Sequence, residues 1–295
     1  MNAPLRPALR YHGGKWRIAP WIIAHFPPHR VYVEPFGGAA SVLLRKPRSY
    51  AEVYNELSGD VVNFFRVLRD DDMSARLLRE IALTPFARDE FEGAYAAGPD
   101  PVDRARALAV RSMMGFGSNG HNARVKTGFR ANSNRSGTTP AHDWANYPEA
   151  LAATIDRLRG VIVENRDAVA CMSQHDGPQT LHYVDPPYPM GTRSLRNPYD
   201  LKYRATGATH RAGCYDHEMS DDAHQALLGA LRTLSGSVVL SGYPSPLYDA
   251  ALDGWMRVEC AALADGARAR TEVLWLNPRA ADGLAQRSLF SGASP

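Results

Sequence analysis

The chain has no apolar run that approaches the roughly 20 residues of a membrane-spanning helix. Residues 1–15 contain no apolar segment of the kind that a secretory signal carries. Cysteine is scarce, and Cys171, Cys214 and Cys260 lie far apart without the spacing of a zinc site. We therefore expect a cytoplasmic protein with reduced thiols, no metal and no membrane partner.

Phosphate-binding glycine motifs are missing where a cofactor loop is expected. The loop 34–41 after the first predicted strand lacks the dinucleotide fingerprint G-x-G-x-x-G, and no Walker-type Gly-Lys-Ser/Thr occurs in the chain. This argues against a dinucleotide or a nucleoside triphosphate as the cofactor.

What the chain does contain is an alternation of seven short strand-like runs with helical patterns. This alternation predicts an α/β fold with a mostly parallel sheet and helices on both faces. The predicted strands are 31–36, 51–56, 161–167, 181–185, 237–243, 258–263 and 271–277. The predicted helices of this body are 15–26, 39–45, 59–69, 148–159 and 220–234.

One long segment departs from the alternation. Between residues 70 and 147 the sequence predicts no strand, only helices at 73–81, 85–97 and 101–114, followed by a loop rich in Gly, Asn and Ser at 115–139. We interpret 71–147 as a mainly helical inserted domain. The catalytic body then comprises 1–70 and 148–278, and 279–295 is expected to be a flexible tail.

Positive charge is concentrated in two stretches, although the formal net charge is only +3. Residues 104–142 contain seven Arg or Lys and no Asp or Glu, and a second basic stretch follows residue 188. Two basic segments on a nearly neutral body favour a polyanionic partner.

Four predicted strands end in a carboxylate, at Glu34, Glu56, Asp167 and Asp185. The carboxyl ends of parallel strands lie along one rim, so these acids should surround a site that binds hydroxyls, amino groups or a cation. Gly37-Gly38 in the first rim loop lets the backbone approach a ligand closely. S-adenosylmethionine fits these features, because it has a positive sulfonium, two ribose hydroxyls and no phosphate.

Residues Asp185-Pro186-Pro187-Tyr188 follow the apolar run 181–184, where a strand ends and a loop begins. A carboxylate and a backbone carbonyl can accept both N–H bonds of an exocyclic amino group and return electron density to its nitrogen. The prolines fix φ and remove backbone donors, so the Pro186 carbonyl can point outward. Tyr188 offers a face for stacking a base. Taken alone, the four residues favour an ordinary turn with a surface tyrosine.

In their order along the chain, these motifs resemble Dam-type (D12 class, α-group) DNA adenine-N6 methyltransferases, most of all those of phages and prophages. The matching segments are 11–15, 34–38, 56–60, Asp167, 185–188, 237–243 and 271–278. The resemblance covers nearly the whole chain apart from the loop of the insert and the tail. It implies a Rossmann-like seven-stranded methyltransferase sheet with a DNA-recognition insert.

The resemblance also implies roles for single residues. Asp185, Pro186 and Tyr188 would be catalytic, acting on N6 of an adenine flipped out of double-stranded DNA, with no need for a metal. The cofactor site for S-adenosylmethionine would comprise Tyr11, Gly13, Gly14, Lys15, Glu34, Phe36, Gly37, Gly38, Glu56, Asp167 and Asp185.

Within this cofactor site, Tyr11 and Lys15 would contact the methionine and adenine parts. Glu34 would lie near the amino or sulfonium end, and Asp167 would bind the adenine edge. Glu56 would bind the ribose, although the family often has Asp at this position, and Asp60 is the alternative ribose partner.

DNA contacts are expected from the insert and from the basic stretch after residue 188, because Arg favours guanine edges, Asn favours adenine edges, and other basic residues touch phosphate. The candidates are Asn119, Asn122, Arg124, Lys126, Arg130, Arg135, Arg193 and Lys202. Residues 192–215 are expected to form a lid that orders on DNA.

Two alternatives stay open at this stage: the same chemistry on RNA or on another amino group, and a nucleic-acid-binding protein with a silent pocket. In the tail, Gln286, Leu289 and Phe290 resemble a peptide that docks on the replication sliding clamp. Packing of the two apolar residues on the parent domain explains them equally well.

Overall fold

The computed structural model of the chain describes residues 4–121, 123, 126–134, 137–189, 192, 217–264 and 268–291. One seven-stranded sheet forms its centre. Its strands are β1 Val31–Glu34, β2 Ala51–Asn55, β3 Val161–Glu164, β4 Thr180–Val184, β5 Ser237–Gly242, β6 Met256–Ala264 and β7 Arg268–Leu276.

The strand order is β3-β2-β1-β4-β5-β7-β6. The first five strands of this order run parallel, whereas β7 is antiparallel to both β5 and β6. The predicted α/β fold with a mostly parallel, Rossmann-like seven-stranded sheet is confirmed.

Helices cover the sheet and build the insert. They are α1 Ala19–Ala24, α2 Gly59–Arg69, α3 Asp71–Leu83, α4 Arg88–Gly93, α5 Pro101–Met114, α6 Pro140–Ala145, α7 Tyr147–Leu158, α8 Ala168–His175, α9 Asp221–Leu231, α10 Pro246–Ala251 and α11 Pro278–Ser291, with a 3-10 turn at Asn119–His121. No helix in the described ranges is long and apolar enough to cross a membrane.

The apolar core lies on both faces of the sheet because side chains alternate along each strand. In β5, Val239 joins the cluster that contains the helices of the insert. Its neighbours Val238 and Leu240 point the other way and pack with α9 and α10. Strands buried on both faces read as continuous apolar runs, which is why they were visible in the sequence.

The topology places a ligand crevice between β1 and β4. From β1 the chain proceeds outward to β2 and β3, and then returns to β4 on the other side of β1. In open α/β sheets, ligands bind at the carboxyl ends of strands where the order reverses in this way. Glu34, the last residue of β1, and Asp185, the residue after β4, both lie at this switch point.

The insert is mainly helical, as predicted, and among its described residues it contains one isolated bridge, between Gly115 and Phe129, instead of a strand. Its buried side chains belong to the same apolar cluster as α1 and β1. Trp144 fastens α6 to the end of α3 by donating from Nε1 to the Thr84 carbonyl at 2.7 Å. The boundaries 71 and 147 stay a prediction.

The helix predicted at 39–45 is wrong, because this segment forms a series of turns. Ala40 has a φ of +53°, outside the helical region. The Leu43 N–H donates to the Glu34 carboxylate at 3.0 Å instead of to a backbone carbonyl four residues earlier. The segment therefore serves the rim of the sheet rather than its own helix.

The prediction of a flexible tail at 279–295 is also wrong, because Pro278–Ser291 forms α11. Asn277 starts this helix by accepting the Ala280 N–H at 3.0 Å, and Ala280 is fully buried. Arg287 donates to the Phe26 carbonyl at 3.3 Å. The side chains of Leu289 and Phe290 lie outside the described residues, so clamp docking stays a prediction.

Candidate active site

The loop after β1 needs glycine for a steric reason. A Cβ added to Gly37 would lie 2.1 Å from the Tyr54 ring, and one added to Gly38 would lie 2.9 Å from the Tyr11 ring. Gly38 also has a φ of +48°. The Tyr54 hydroxyl donates to the Gly38 carbonyl at 2.6 Å, so the loop is held against β2 while Tyr11 covers it.

The N-terminal segment turns at 11–14 and directs Lys15 into the switch point. The Gly14 N–H donates to the Tyr11 carbonyl at 3.1 Å. Lys15 is buried and donates to the Gly13 carbonyl at 2.9 Å. Its Nζ lies 3.0 Å from Oδ2 of Asp185. Lys15 therefore joins the two motifs that the sequence had placed 170 residues apart.

Asp185 presents one occupied and one open oxygen. Oδ2 pairs with Lys15, whereas Oδ1 is buried and has no hydrogen-bond partner in the described part of the chain. Burial raises the pKa of Asp185 to about 6, with Lys15 opposing the rise and Glu272 adding to it. The carboxylate is ionised at neutral pH and has an acceptor to offer.

Tyr188 is held at both ends. Its hydroxyl donates to Glu272 and lies 3.3 Å from the Ser241 hydroxyl. Lys15 Nζ lies 4.6 Å from the ring centroid, and the Tyr243 ring meets it edge-on at 4.6 Å. The side chain is only 4% exposed, so a base can stack on it only after the groups that cover the ring move aside.

Glu272 is the residue that sequence reasoning missed. It lies on β7, whose antiparallel direction brings Val273 opposite Gly242 at the carboxyl end of β5, and it is 4% exposed. It accepts from Tyr188 and from the Ser241 hydroxyl at 3.1 Å, and lies 3.7 Å from Lys15. The signal was one carboxylate directly before the apolar run 273–276.

Two further rim acids lie beside the glycine loop. Glu34 accepts from the Tyr32 hydroxyl at 2.6 Å and from the Leu43 N–H, and burial raises its pKa to about 8. Glu56 accepts from the Gly38 N–H at 2.9 Å, and burial raises its pKa as well. Each carboxylate oxygen has two lone-pair sites, so these bonds leave Glu56 acceptor capacity for hydroxyl groups.

The remaining acid candidates are engaged elsewhere. Asp60 faces the insert, where it pairs with Arg104 at 2.7 Å and with Arg111 at 3.7 Å. This geometry favours Glu56 over Asp60 as the ribose partner. Asp167 is exposed and caps α8 by accepting the Ala170 N–H at 2.9 Å. Its assignment to the cofactor stays a prediction.

The basic loop of the insert is anchored beside the N-terminal segment. The Ser118 hydroxyl lies 3.5 Å from His12 Nδ1. Of the DNA candidates, Asn119 and Arg130 are half-buried and Lys126 is exposed. The other candidates, Asn122, Arg124, Arg135, Arg193 and Lys202, lie outside the described residues, as does nearly all of the expected lid.

A comparison with protein families finds a match in the N-terminal third of the chain. Residues 11–96 match the family of D12 class N6 adenine-specific DNA methyltransferases. The matched span holds the 11–15 segment, the glycine loop and Glu56, and ends within the insert. No curated protein matches the chain.

Proposed function

Because residues 11–96 match the family of D12 class N6 adenine-specific DNA methyltransferases, we propose that this chain methylates N6 of a flipped-out adenine in double-stranded DNA, with S-adenosylmethionine as the methyl donor. One observation carries the proposal. Lys15, inside the matched span, lies 3.0 Å from Asp185, which lies outside it. The cofactor segment and the amine-binding motif thus share one buried site.

The residues present suit this cofactor. Three buried or half-buried acids line the rim, at Glu34, Glu56 and Asp185, and the two glycines leave no side chain between the loop and a ligand. When bound, S-adenosylmethionine supplies an electrophilic methyl group on a cationic sulfur. Glu56 would hold its ribose, and Tyr11 and Lys15 would contact its methionine and adenine parts.

Asp185 performs the central task in this proposal. Its open Oδ1 and the Pro186 carbonyl accept the two N–H bonds of the adenine amine, which directs the nitrogen lone pair away from the ring. Aimed acceptors of this kind act through orientation and through electrostatics in a site of low dielectric. With a pKa of about 6, the carboxylate is also able to take the proton that the methylated amine releases.

Tyr188 would capture the base after it leaves the duplex. Flipping costs a few kcal/mol and requires a partner for the exposed base. An aromatic face is worth about 1–3 kcal/mol per stacked base. Replacing Tyr188 by alanine should therefore weaken capture strongly, whereas phenylalanine retains the ring and part of the activity. Equal behaviour of the two variants contradicts this role.

The test of the reaction is the transfer of tritium from labelled S-adenosylmethionine to DNA, RNA and protein in parallel. We expect label on adenine N6 of DNA alone. Asp185→Ala should abolish transfer and spare DNA binding, while Asp253→Ala, an exposed acid in a turn, should behave as the unaltered chain. Label on RNA or protein supports the alternative substrates. DNA binding without any transfer supports a silent relic.

A further inference from the structure

A second concave site lies outside the candidate active site and is built largely from arginine. It is a cavity of about 250 Å³, lined by Arg6, Pro7, Arg10, Met113, Arg130 and Asp143. It is located where the N-terminal segment crosses the carboxyl end of α5 and meets α6. Three segments distant in sequence each contribute charge to it.

The walls of the cavity are fastened in place. The Arg10 N–H donates to the Ser112 hydroxyl at 2.7 Å, and that hydroxyl donates back to the Arg10 carbonyl at 3.0 Å. The Tyr147 hydroxyl donates to the Ala8 carbonyl. The backbone of the N-terminal segment is therefore attached to α5 and α7, which reduces the ordering that a ligand must impose on this wall of the cavity.

Backbone carbonyls orient two of the guanidinium groups. Arg10 Nη1 donates to the Gly115 carbonyl at 3.2 Å, and Arg130 Nη1 donates to the Met113 carbonyl at 2.9 Å. A guanidinium presents its N–H donors in a planar fork, so a bond to a backbone carbonyl fixes the orientation of the group. All three arginines are half-buried, which strengthens their attraction for an anion compared with that of fully solvated side chains.

The charge of the lining is positive. Three guanidinium groups face one carboxylate, that of Asp143, whose Oδ1 also accepts from the Thr138 hydroxyl at 2.8 Å. An anion with several acceptor oxygens suits this lining, because planar guanidinium groups bind phosphate oxygens in pairs.

We infer that this cavity binds one backbone phosphodiester of the duplex, an inference that rests on the proposed function. Arg10 is followed directly by Tyr11, which packs on the glycine loop. A phosphate bound here fixes the register of the DNA relative to the site of methyl transfer and carries no sequence information itself. Arg6 and Arg10 thereby join Arg130 as DNA-contacting residues.

The first test measures affinity for duplex DNA against salt. Arg6 is the residue to change, because no hydrogen bond of its side chain holds the described fold together. Losing one phosphate contact should reduce the slope of log K against log salt by about 0.9. If the two chains bind DNA equally at 1 M salt, this change in slope makes the variant bind about eightfold more weakly at 0.1 M salt. Arg6→Lys should recover part of the affinity. Arg66→Ala, on an exposed position of α2, is the control.

The second test locates the phosphate. Single phosphates along the duplex are replaced by uncharged methylphosphonates, and each duplex is titrated with the unaltered chain and with Arg6→Ala. We expect one position at which Arg6→Ala causes no further loss. If the losses multiply at every position, or if Arg6→Ala matches Arg66→Ala, the inference is overturned.

Inorganic phosphate at constant ionic strength separates a DNA site from a site for the free ion. Thermal stabilisation of the unaltered chain but not of Arg6→Ala, combined with unchanged DNA binding, assigns the cavity to free phosphate and overturns the inference. Chains that bind and methylate DNA but fail these tests leave the proposed function intact. A chain that binds no DNA under any condition contradicts the proposed function itself.

The Glu272 carboxylate accepts from the hydroxyls of Tyr188 and Ser241 and lies 3.7 Å from Lys15. The geometry points to Glu272 as a positioning residue that holds the Tyr188 ring beside Asp185. It acts through the Tyr188 hydroxyl, and this inference too rests on the proposed function.

A double-mutant cycle with Tyr188 tests this role. Glu272→Ala should lower kcat/KM for DNA by about tenfold, in line with the loss of a hydrogen bond to a charged group, and should do so mainly through KM. In a Tyr188→Phe background the same change should have less than a twofold effect. Losses that multiply in the double variant overturn the inference.

The isosteric variant Glu272→Gln separates positioning from packing. Its amide oxygen can still accept from Tyr188, so the KM for DNA should return close to that of the unaltered chain. A loss as large as that of Glu272→Ala contradicts the role. In the Tyr188→Phe background, Glu272→Ala and Glu272→Gln should each leave the melting temperature unchanged. A lower melting temperature in that background would reveal a packing defect, because the Tyr188 hydroxyl is absent there.

Discussion

Removing the cation beside Asp185 is the sharpest perturbation of the candidate active site. Lys15→Met retains most of the side-chain volume and deletes the ammonium 3.0 Å from Oδ2 of Asp185. The pKa of Asp185, about 6 in the intact site, is raised by burial and held down by Lys15. Without the cation, the carboxyl should hold its proton to higher pH.

The size of the effect follows from the distance. Two unit charges 3.0 Å apart attract by about 5 kcal/mol at an effective dielectric constant of 20, as an upper bound. Glu272 lies 3.7 Å from the same ammonium and itself raises the pKa of Asp185, so its charge still opposes ionisation after Lys15 is removed. An opposite charge at this range typically moves a carboxyl pKa by about 1–3 pH units, and we expect a displacement of that size.

The assay is the pH dependence of kcat/KM for DNA, measured by tritium transfer at saturating S-adenosylmethionine. Asp185 must be ionised to accept the amine, so activity should be lost as pH falls through about 6. In Lys15→Met the same loss should begin at higher pH, whereas Lys15→Arg retains the charge and should keep the profile. Asp185→Asn should have a low, flat profile in this range.

Several groups face the Asp185 carboxyl and bear on this profile. They are Lys15, Glu34, Tyr183, Tyr188, Tyr243 and Glu272. Lys15 is the cation among them, so its removal should dominate. An acidic limb at the same pH in the unaltered chain and in Lys15→Met refutes the assignment of that limb to Asp185.

Three further predictions concern the glycine loop, a buried ion pair of the scaffold and the C-terminal docking motif. Gly37→Ala places a Cβ 2.1 Å from the buried Tyr54 ring, and we expect denaturant titration to show a loss of about 1–3 kcal/mol; unchanged stability contradicts the packing. Arg157→Met leaves Glu52 with one cation and should cost about 3–5 kcal/mol near neutral pH. The pKa of Glu52 is lowered, because hydrogen bonds from its cations outweigh burial, so this difference should shrink as pH falls; a difference independent of pH counts against it. Leu289→Ala combined with Phe290→Ala should abolish sliding-clamp retention in a pull-down, and equal retention rules the docking motif out.

The sheet was predictable because burial on both faces leaves a simple trace in the sequence. Each parallel strand is a short apolar run, and α2 matches its predicted bounds at both ends. The rim acids followed from the same logic, since a parallel sheet gathers its carboxyl ends on one edge. The contact between Lys15 and Asp185 could not be predicted in this way, because nothing in the local sequence specifies how the N-terminal segment turns.

The errors have a common physical cause in long-range contacts. The apolar pattern at 39–45 suits a helix, but the Glu34 carboxylate takes the Leu43 N–H and turns the chain. The polar composition of the C-terminal segment suits a flexible tail, but the Asn277 cap and the bond from Arg287 to the Phe26 carbonyl, in the segment after α1, hold it as a helix. In both cases, partners distant in sequence decide the local structure.

The pairing of buried acids distinguishes the site from the scaffold without any motif. Glu52 is buried with two cationic partners, and its pKa is lowered. Burial raises the pKa of three other acids, Glu34, Glu56 and Asp185. Of these three, only Asp185 lies within ion-pair distance of a described cation, Lys15. Underpaired buried carboxylates cost stability, and a cationic ligand is the simplest compensation. The sulfonium of S-adenosylmethionine would bring that charge to the switch point, beside Asp185, the one of these acids that the amine requires to be ionised.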